Sequence, residues 1–229
     1  MLIFLDLETT GLEKDDKVCS IGLVSVDDTK VESKYELVNE GKKISSKASS
    51  VNHITNEMLK DKHSLKDCET FKYLEQNNSA QTVIIGHNIN YDLALLGSVG
   101  FRYKGKIIDT LRVSKHLIPE LESYSLQFLR YELKLYKNEE EDIVAHNALG
   151  DSIVVKMLYD YLLESSSVDE MCELSFKNVL LQKFEFGKYA GKYIEEISMN
   201  DRGYLEWMLN NIMDLDEDLR YSIDYYLRG

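Results

Sequence analysis

Proline is almost missing from this 229-residue chain, which holds Pro119 and no other. Internal repeats and compositionally biased tracts are missing as well, which excludes a proline-rich spacer or a low-complexity linker. Cysteine is sparse. Cys19, Cys68 and Cys172 are odd in number, widely spaced and never in a Cys-x-x-Cys pair, so neither a disulfide framework nor a cysteine zinc site is indicated, and a reducing cytosol is expected. Long apolar runs are lacking too. Residues 1–5 are apolar but have no basic flank and meet Asp6 at once, too early for a secretory or membrane-spanning segment. A soluble cytoplasmic protein with no membrane partner is the expectation. Positive charge is also short: 27 Lys+Arg against 40 Asp+Glu give a net charge of -13, which argues against a simple electrostatic binder of nucleic acid. That argument weakens if carboxylates ligate divalent cations, or if a local basic patch faces the polyanion.

What is present is enough apolar material, 44% of the chain, for one substantial core, with room for a small addition. Residues 2–7 are apolar apart from Asp6, as in a central strand covered on both faces by helices. Residues 18–26 and 31–38 read as β-rich runs about a turn at Asp27-Asp28-Thr29, so the first three strands form a meander. Thr55 and Met58 suit the N-cap and N3 positions of a short helix, and a second helix is expected over about residues 65–74. Residues 82–86 then read as a short buried strand and 91–96 as the helix leaving it, a βα unit whose logic Ile107-Ile108-Asp109-Thr110 repeats. Residues 125–133 and 145–163 carry helical apolar spacing. The polar run 164–167 marks a boundary, and the acidic run 139–142 reads as a solvated loop. The expected architecture is α/β: a mixed sheet flanked by helices over residues 1–165, a connecting segment 166–182 and a small α/β module over 183–229.

Asp6 and Glu8 stand two apart at the end of the first strand and share one face of it. Two carboxylates there repel each other and are costly to desolvate unless a cation compensates them; hard Mg²⁺ with its preference for oxygen ligands would do so. A strand ending at Leu5, with both acids solvated, fits the pair equally well. Thr9-Thr10-Gly11 follows, with hydroxyl groups and a glycine that permits close backbone approach to a ligand, as a plain turn also would. Asp92 opens a helix after His87-Asn88, where an acid can simply complement the helix dipole. His146 and Asp151 are five residues apart, about 140° around an α-helix, so they cannot share one helical face. If both serve one site, His146 must lie on the loop before the helix and Asp151 on its first turns.

Taken in order, Asp6-Leu7-Glu8-Thr9-Thr10-Gly11, Asn88-x-x-x-Asp92 and His146-x-x-x-x-Asp151 closely resemble the three motifs of the DEDDh exonucleases. Those enzymes have a ribonuclease H-like fold and include polymerase proofreading subunits, oligoribonuclease, RNase T and proteins of the exodeoxyribonuclease X type. The resemblance implies metal-dependent 3′→5′ exonuclease activity with two Mg²⁺ or Mn²⁺ ions. Asp6, Glu8 and Asp151 would hold one ion, Asp6 would help to hold the second, and Asp92 would complete the acidic cluster. His146 would be the general base, Thr9, Thr10, Gly11 and Leu12 would meet the terminal nucleotide, and His87 and Asn88 would lie beside it. The implied partner is a nucleic-acid 3′ end, DNA ahead of RNA, with a polymerase or repair protein as a possible associate. A ribonuclease of the RNase T or oligoribonuclease kind, or a non-catalytic binding module, are the competing readings. Phe184-x-Phe186-Gly187-Lys188-Tyr189-x-Gly191-Lys192 and Gly203-Tyr204-Leu205-x-Trp207 are similar to the small C-terminal domain of exodeoxyribonuclease X-type proteins. Lys188 and Lys192 there are candidates for phosphate contact, whereas the rings could equally be the core of so small a module.

Overall fold

The computed structural model describes residues 1–28, 30–138 and 143–228; the acidic run 139–142 and Thr29 of the expected turn lie outside the described residues. Five strands form one mixed sheet: β1 (Leu2–Thr9), β2 (Val18–Asp27), β3 (Lys30–Leu37), β4 (Val83–Gly86) and β5 (Lys106–Asp109), in the order β3-β2-β1-β4-β5. The meander β1-β2-β3 is antiparallel, with Asp27 opposite Lys30, while β1, β4 and β5 run parallel. The helices are α1 (Ser46–Asn52), α2 (Asn56–Leu59), α3 (Glu69–Gln76), α4 (Ile89–Ser98), α5 (Thr110–Leu117), α6 (Leu126–Glu132), α7 (Ala148–Leu163), α8 (Val168–Leu174), α9 (Ile194–Asn200), α10 (Arg202–Asn211) and α11 (Glu217–Arg228). Among the described residues, no helix is long and apolar enough to cross a membrane.

β1 is apolar on both faces because helices cover both. Ile3, Leu5 and Leu7 pack with Phe71, Leu74, Ile89 and Leu96 of α3 and α4. On the other face Phe4 joins Val155, Leu158, Tyr159 and Leu162 of α7 and Val113 of α5, its ring 5.3 Å from that of Tyr159 in an edge-on arrangement. Side chains alternate along a strand, so Asp6 and Glu8 continue the Phe4 face. The apolar row that anchors α7 therefore ends in two acids at its N-terminal end.

Residues 166–182, expected as a connector, contain α8, whose Met171 is fully buried in the α5–α7 core. The C-terminal module combines a little β-pairing with three helices. Phe184 bridges to Ala190 and Lys183 to Tyr193 as isolated β-pairs, and the rest is α9, α10 and α11 around Phe184, Ile194, Leu205, Met208, Leu219 and Ile223. Gly187 and Gly191, both at φ 78°, let the chain turn between these bridged residues. The module is fastened to the body by Arg112 of α5, whose guanidinium grips both oxygens of Asp218 at 2.9 and 3.0 Å and donates to the Lys177 carbonyl at 2.7 Å.

Candidate active site

Groups from α4 and α7 join the acids of β1, and α7 comes close enough because of one small residue. Asp6 lies opposite Gly22 and Glu8 opposite Ser20. A Cβ on Gly22 would stand 2.2 Å from the backbone of Ala148 and Leu149, so the first turn of α7 rests directly on the β2 backbone. Ser152 fixes that contact, its hydroxyl donating to the Gly22 carbonyl at 2.9 Å. Asn147 is the N-cap, accepting from the Gly150 amide at 3.1 Å.

His146 precedes this cap in the left-handed region at φ 57°, a conformation that non-glycine residues seldom adopt. Its backbone N–H donates to Asp151 Oδ2 at 3.0 Å. The geometric demand set by the five-residue spacing is thus met: His146 is on the loop and Asp151 in the first turn of α7. Candidate ligand atoms of Glu8, His146 and Asp151 all lie within 4.8 Å of one another. Asp92 sits in the first turn of α4, which follows Asn88 in the left-handed conformation at φ 64°. Its carboxylate is buried, and α4 is held to the strand carrying Asp6 and Glu8 by Ile89 and Leu96, which pack with Ile3, Leu5 and Leu7. Asp109 supports this corner by accepting from the Asn88 amide at 2.9 Å.

The electrostatics follow from the crowding. Asp6 is pushed well above the ordinary carboxylate range, by burial first and then by repulsion from Asp92, Asp151 and Glu8. Burial and the charge of Asp151 raise Glu8 to about 7, against a hydrogen bond from Asn52. Asp92 is raised by burial in spite of its backbone hydrogen bonds. Burial raises Asp151 as well, opposed by His146 and by Gln127, whose amide donates to Asp151 Oδ1 at 2.6 Å. Four carboxylates that resist ionisation together, with hard oxygen donors and an imidazole at their edge, form a donor set suited to divalent cations.

The other expected site residues divide. Thr9 donates to the Gly11 carbonyl and Thr10 to Asp16 Oδ1, each at 2.6 Å, so both hydroxyls are used inside the loop, and Leu12 projects from it with 82% of its surface exposed. The His87 ring is engaged within the fold: Nδ1 is 3.1 Å from the Thr110 hydroxyl and Nε2 is 2.7 Å from the Tyr124 carbonyl. Burial lowers its pKa to about 4. The Asn88 side chain is exposed. Lys188 and Lys192 belong to the C-terminal module. The Lys188 ammonium pairs with Asp201 at 2.9 Å and rests on the rings of Tyr189 and Tyr204, while Lys192 is exposed. Phe184 is core, whereas Phe186 and Trp207 are about half exposed. Sequence reasoning missed Gly22, Asn52 and Gln127. Gly22 is the one with a visible signal, a glycine inside a β-rich run, which marks close approach by another backbone.

The family model described as Exonuclease matches residues 3–159, and the chain belongs to that exonuclease family. The ribonuclease H-like fold and the nucleic-acid hydrolase activity of the family are therefore those of this chain. A second model, described as Exodeoxyribonuclease X-like C-terminal, matches residues 184–213. Exodeoxyribonuclease 10 of Escherichia coli K12 is 28% identical over 232 aligned residues, covering 100% of both chains. The PolC-type DNA polymerase III of Thermotoga maritima is 28% identical over 94% of this chain but 15% of the polymerase. Among solved structures, Exonuclease X in complex with 5′ overhanging duplex DNA matches with a TM-score of 0.63 at 26% identity, covering 76% of this chain and 99% of that one. Escherichia coli Exonuclease I bound to a dT13 oligonucleotide shares the fold, with a TM-score of 0.55 at 17% identity over 72% of this chain and 41% of the other.

Proposed function

We propose that this protein is a DEDDh-type 3′→5′ exonuclease that releases nucleoside 5′-monophosphates from DNA. The observation that carries the proposal is the convergence of Glu8, His146 and Asp151 within 4.8 Å, beside an Asp6 that feels the charges of Asp92, Asp151 and Glu8. Asp6, Glu8 and Asp151 would hold one divalent ion, Asp6 would help to hold a second, and Asp92 would complete the negative field. Bound Mg²⁺ or Mn²⁺ would supply charge neutralisation at the scissile phosphate and acidify the attacking water. His146 would take the proton from that water as its oxygen attacks phosphorus; the P–O3′ bond breaks and the 3′ oxygen leaves, to be protonated. The exposed position of His146 on the lip of the cluster suits proton exchange with solvent.

DNA is assigned over RNA on the full-length likeness to an exodeoxyribonuclease and on the structural likeness to a DNA-bound exonuclease. Residues 1–165 would be the catalytic unit, with α8 of the 166–182 segment riding on it, and 183–229 an accessory module near the substrate. In that module Lys192 is better placed than the engaged Lys188 to meet phosphate. The unpaired cysteines, two of them buried, fit a reducing cytoplasm, and the likeness to a polymerase-borne segment fits a polymerase or repair partner.

The test is digestion of end-labelled DNA and RNA oligonucleotides by the wild type, Asp6→Ala and His146→Ala proteins with Mg²⁺, Mn²⁺ or EDTA. Stepwise loss of 3′ nucleotides from DNA that stops in EDTA and in Asp6→Ala, and slows by about 10²-fold or more in His146→Ala, is expected. Faster digestion of RNA would favour the ribonuclease reading. Unchanged turnover in His146→Ala would remove that residue as the base.

A further inference from the structure

Immediately beyond Glu8, the loop of residues 9–17 is held by one buried carboxylate that takes no part in the acidic centre. Asp16 is 8% exposed. Its Oδ1 accepts the Thr10 hydroxyl at 2.6 Å, its Oδ2 accepts the Glu13 amide at 2.7 Å, and the Lys42 ammonium pairs with Oδ1 at 2.8 Å. Around these bonds the backbone closes on itself. The Thr10 amide donates to the Lys17 carbonyl at 2.9 Å, the Lys17 amide donates to the Thr10 hydroxyl at 3.1 Å, and the Ser45 amide donates to the Thr10 carbonyl at 3.1 Å. Gly11 leaves the carboxylate its room, since a Cβ there would meet Asp16 Oδ2 at 2.4 Å. The part of the loop without such anchors is the Leu12 side chain, 82% exposed.

We infer that Asp16, backed by Lys42, is a positioning residue that fixes the loop carrying Leu12 at the edge of the active site, so that the enzyme meets its terminal nucleotide with a preformed rather than a mobile surface. The inference rests on the exonuclease reading above and deepens it. Preorganisation of this kind strengthens substrate binding without entering the chemical step. Asp16 touches neither the acidic cluster nor His146, so its loss acts through the loop alone. Two charge-assisted bonds and one amide bond converge on it, and Asn in its place keeps the shape and loses the charge.

The experiment is steady-state kinetics on a single-stranded DNA oligonucleotide with Mg²⁺ for the wild type, Asp16→Asn, Lys42→Met, Leu12→Ala and the Asp16→Asn/Leu12→Ala double variant. In Asp16→Asn the KM is expected to rise about tenfold with kcat within about twofold. Lys42→Met, which removes the outer partner, is expected to follow in the same direction by about threefold. In the Leu12→Ala background the Asp16→Asn effect is expected to shrink below about twofold, because the residues act on one contact. A fall in kcat with KM unchanged, or an undiminished Asp16→Asn effect in the absence of Leu12, overturns the inference. So does an unchanged KM in Lys42→Met should Asp16→Asn fail to fold. The affinity of each protein for the same fluorescent oligonucleotide, made with non-hydrolysable 3′ linkages so that it can be held with Mg²⁺ present, is measured alongside, and release of nucleotide is read on the ordinary oligonucleotide. A wild type that binds but releases no nucleotide defeats the exonuclease reading, whereas equal affinities of wild type and Asp16→Asn defeat the positioning role.

Discussion

The crowding of acids makes the metal-free protein less stable as pH rises, the reverse of the behaviour of a salt-bridged carboxylate. Glu8 has an ordinary value of 4.5 and is raised to about 7 in the fold, so between those values the folded chain holds a proton that the unfolded chain has lost. Stability from this group is fully present below pH 4.5 and is lost as pH climbs through about 7. That interval corresponds to about 3 kcal/mol, and partial exposure of Glu8 makes this an upper bound. Asp6, Asp92 and Asp151 are shifted in the same direction and deepen the trend without adding independently. Buried His87, lowered to about 4, makes the fold gain stability as pH rises towards 6.5 and opposes this trend there, so the readout is the Tm of the wild type minus that of Glu8→Gln in EDTA, which at roughly 2–4 °C per kcal/mol should fall by roughly 5–10 °C between pH 4.5 and 8. Saturating Mg²⁺ should flatten the curve, because a ligand that binds only the folded state adds stability. Glu8→Gln removes one of the repelling charges and should melt above the wild type at pH 8 in EDTA. A wild-type minus Glu8→Gln difference that holds level or rises across this range in EDTA, or a Glu8→Gln protein no more stable than the wild type at pH 8, would refute the reasoning.

Three further outcomes follow from the packing and the charge. Gly22→Ala forces the first turn of α7 off β2, since its Cβ would lie 2.2 Å from backbone atoms. A stability loss of about 1–3 kcal/mol and a drop in kcat of more than about tenfold are expected, and full turnover would show that the helix position does not set the site. Arg112→Met leaves the buried Asp218 carboxylate without its cation. It should destabilise by about 3 kcal/mol and speed amide hydrogen exchange in α11, and unchanged exchange there would mean the module docks by other contacts. Raising KCl at constant Mg²⁺ should weaken single-stranded DNA binding with a log–log slope of only about −1 to −2, the signature of few lysine–phosphate contacts. A slope near −5 would reveal a basic track that the fold does not display.

Much of the fold was legible because its signals are local. An apolar run broken only by acids marked β1, and Thr55 and Ser125 cap α2 and α6 where a hydroxyl residue precedes apolar spacing. The apolar spacing sets the start of α4 two residues late, at Tyr91. The helix begins at Ile89 behind a left-handed Asn88, and asparagine tolerates that conformation where most residues would not. The five-residue spacing of His146 and Asp151 was informative because it could not be satisfied within one helix, which forced the loop-and-helix arrangement found. What remained hidden is what only tertiary structure creates. Gln127 reaches Asp151 from α6 across 24 residues, Asn52 of α1 donates to the Thr9 carbonyl beside Glu8 at 3.2 Å, and neither position differs in type or spacing from an ordinary polar helix residue.

Among the described residues, several cations in and beside the C-terminal module are already engaged. Lys188 is matched by Asp201, and Lys115 stands 3.6 Å from Glu185 while facing the Tyr124 ring. Lys183 lies over the ring of Tyr193. A polyanion approaching these three groups meets side chains that already have partners, so divalent charge gathered at the acidic centre would add an attraction that they do not supply. Two divalent ions would bring four positive charges to the four carboxylates Asp6, Glu8, Asp92 and Asp151, and the field that repels phosphate without metal would then admit it. Substrate binding and catalysis would depend on the same ions. An enzyme so charged would be held off nucleic acid when unmetallated and would grip only the terminal phosphodiester when loaded, which suits a nuclease that works from ends.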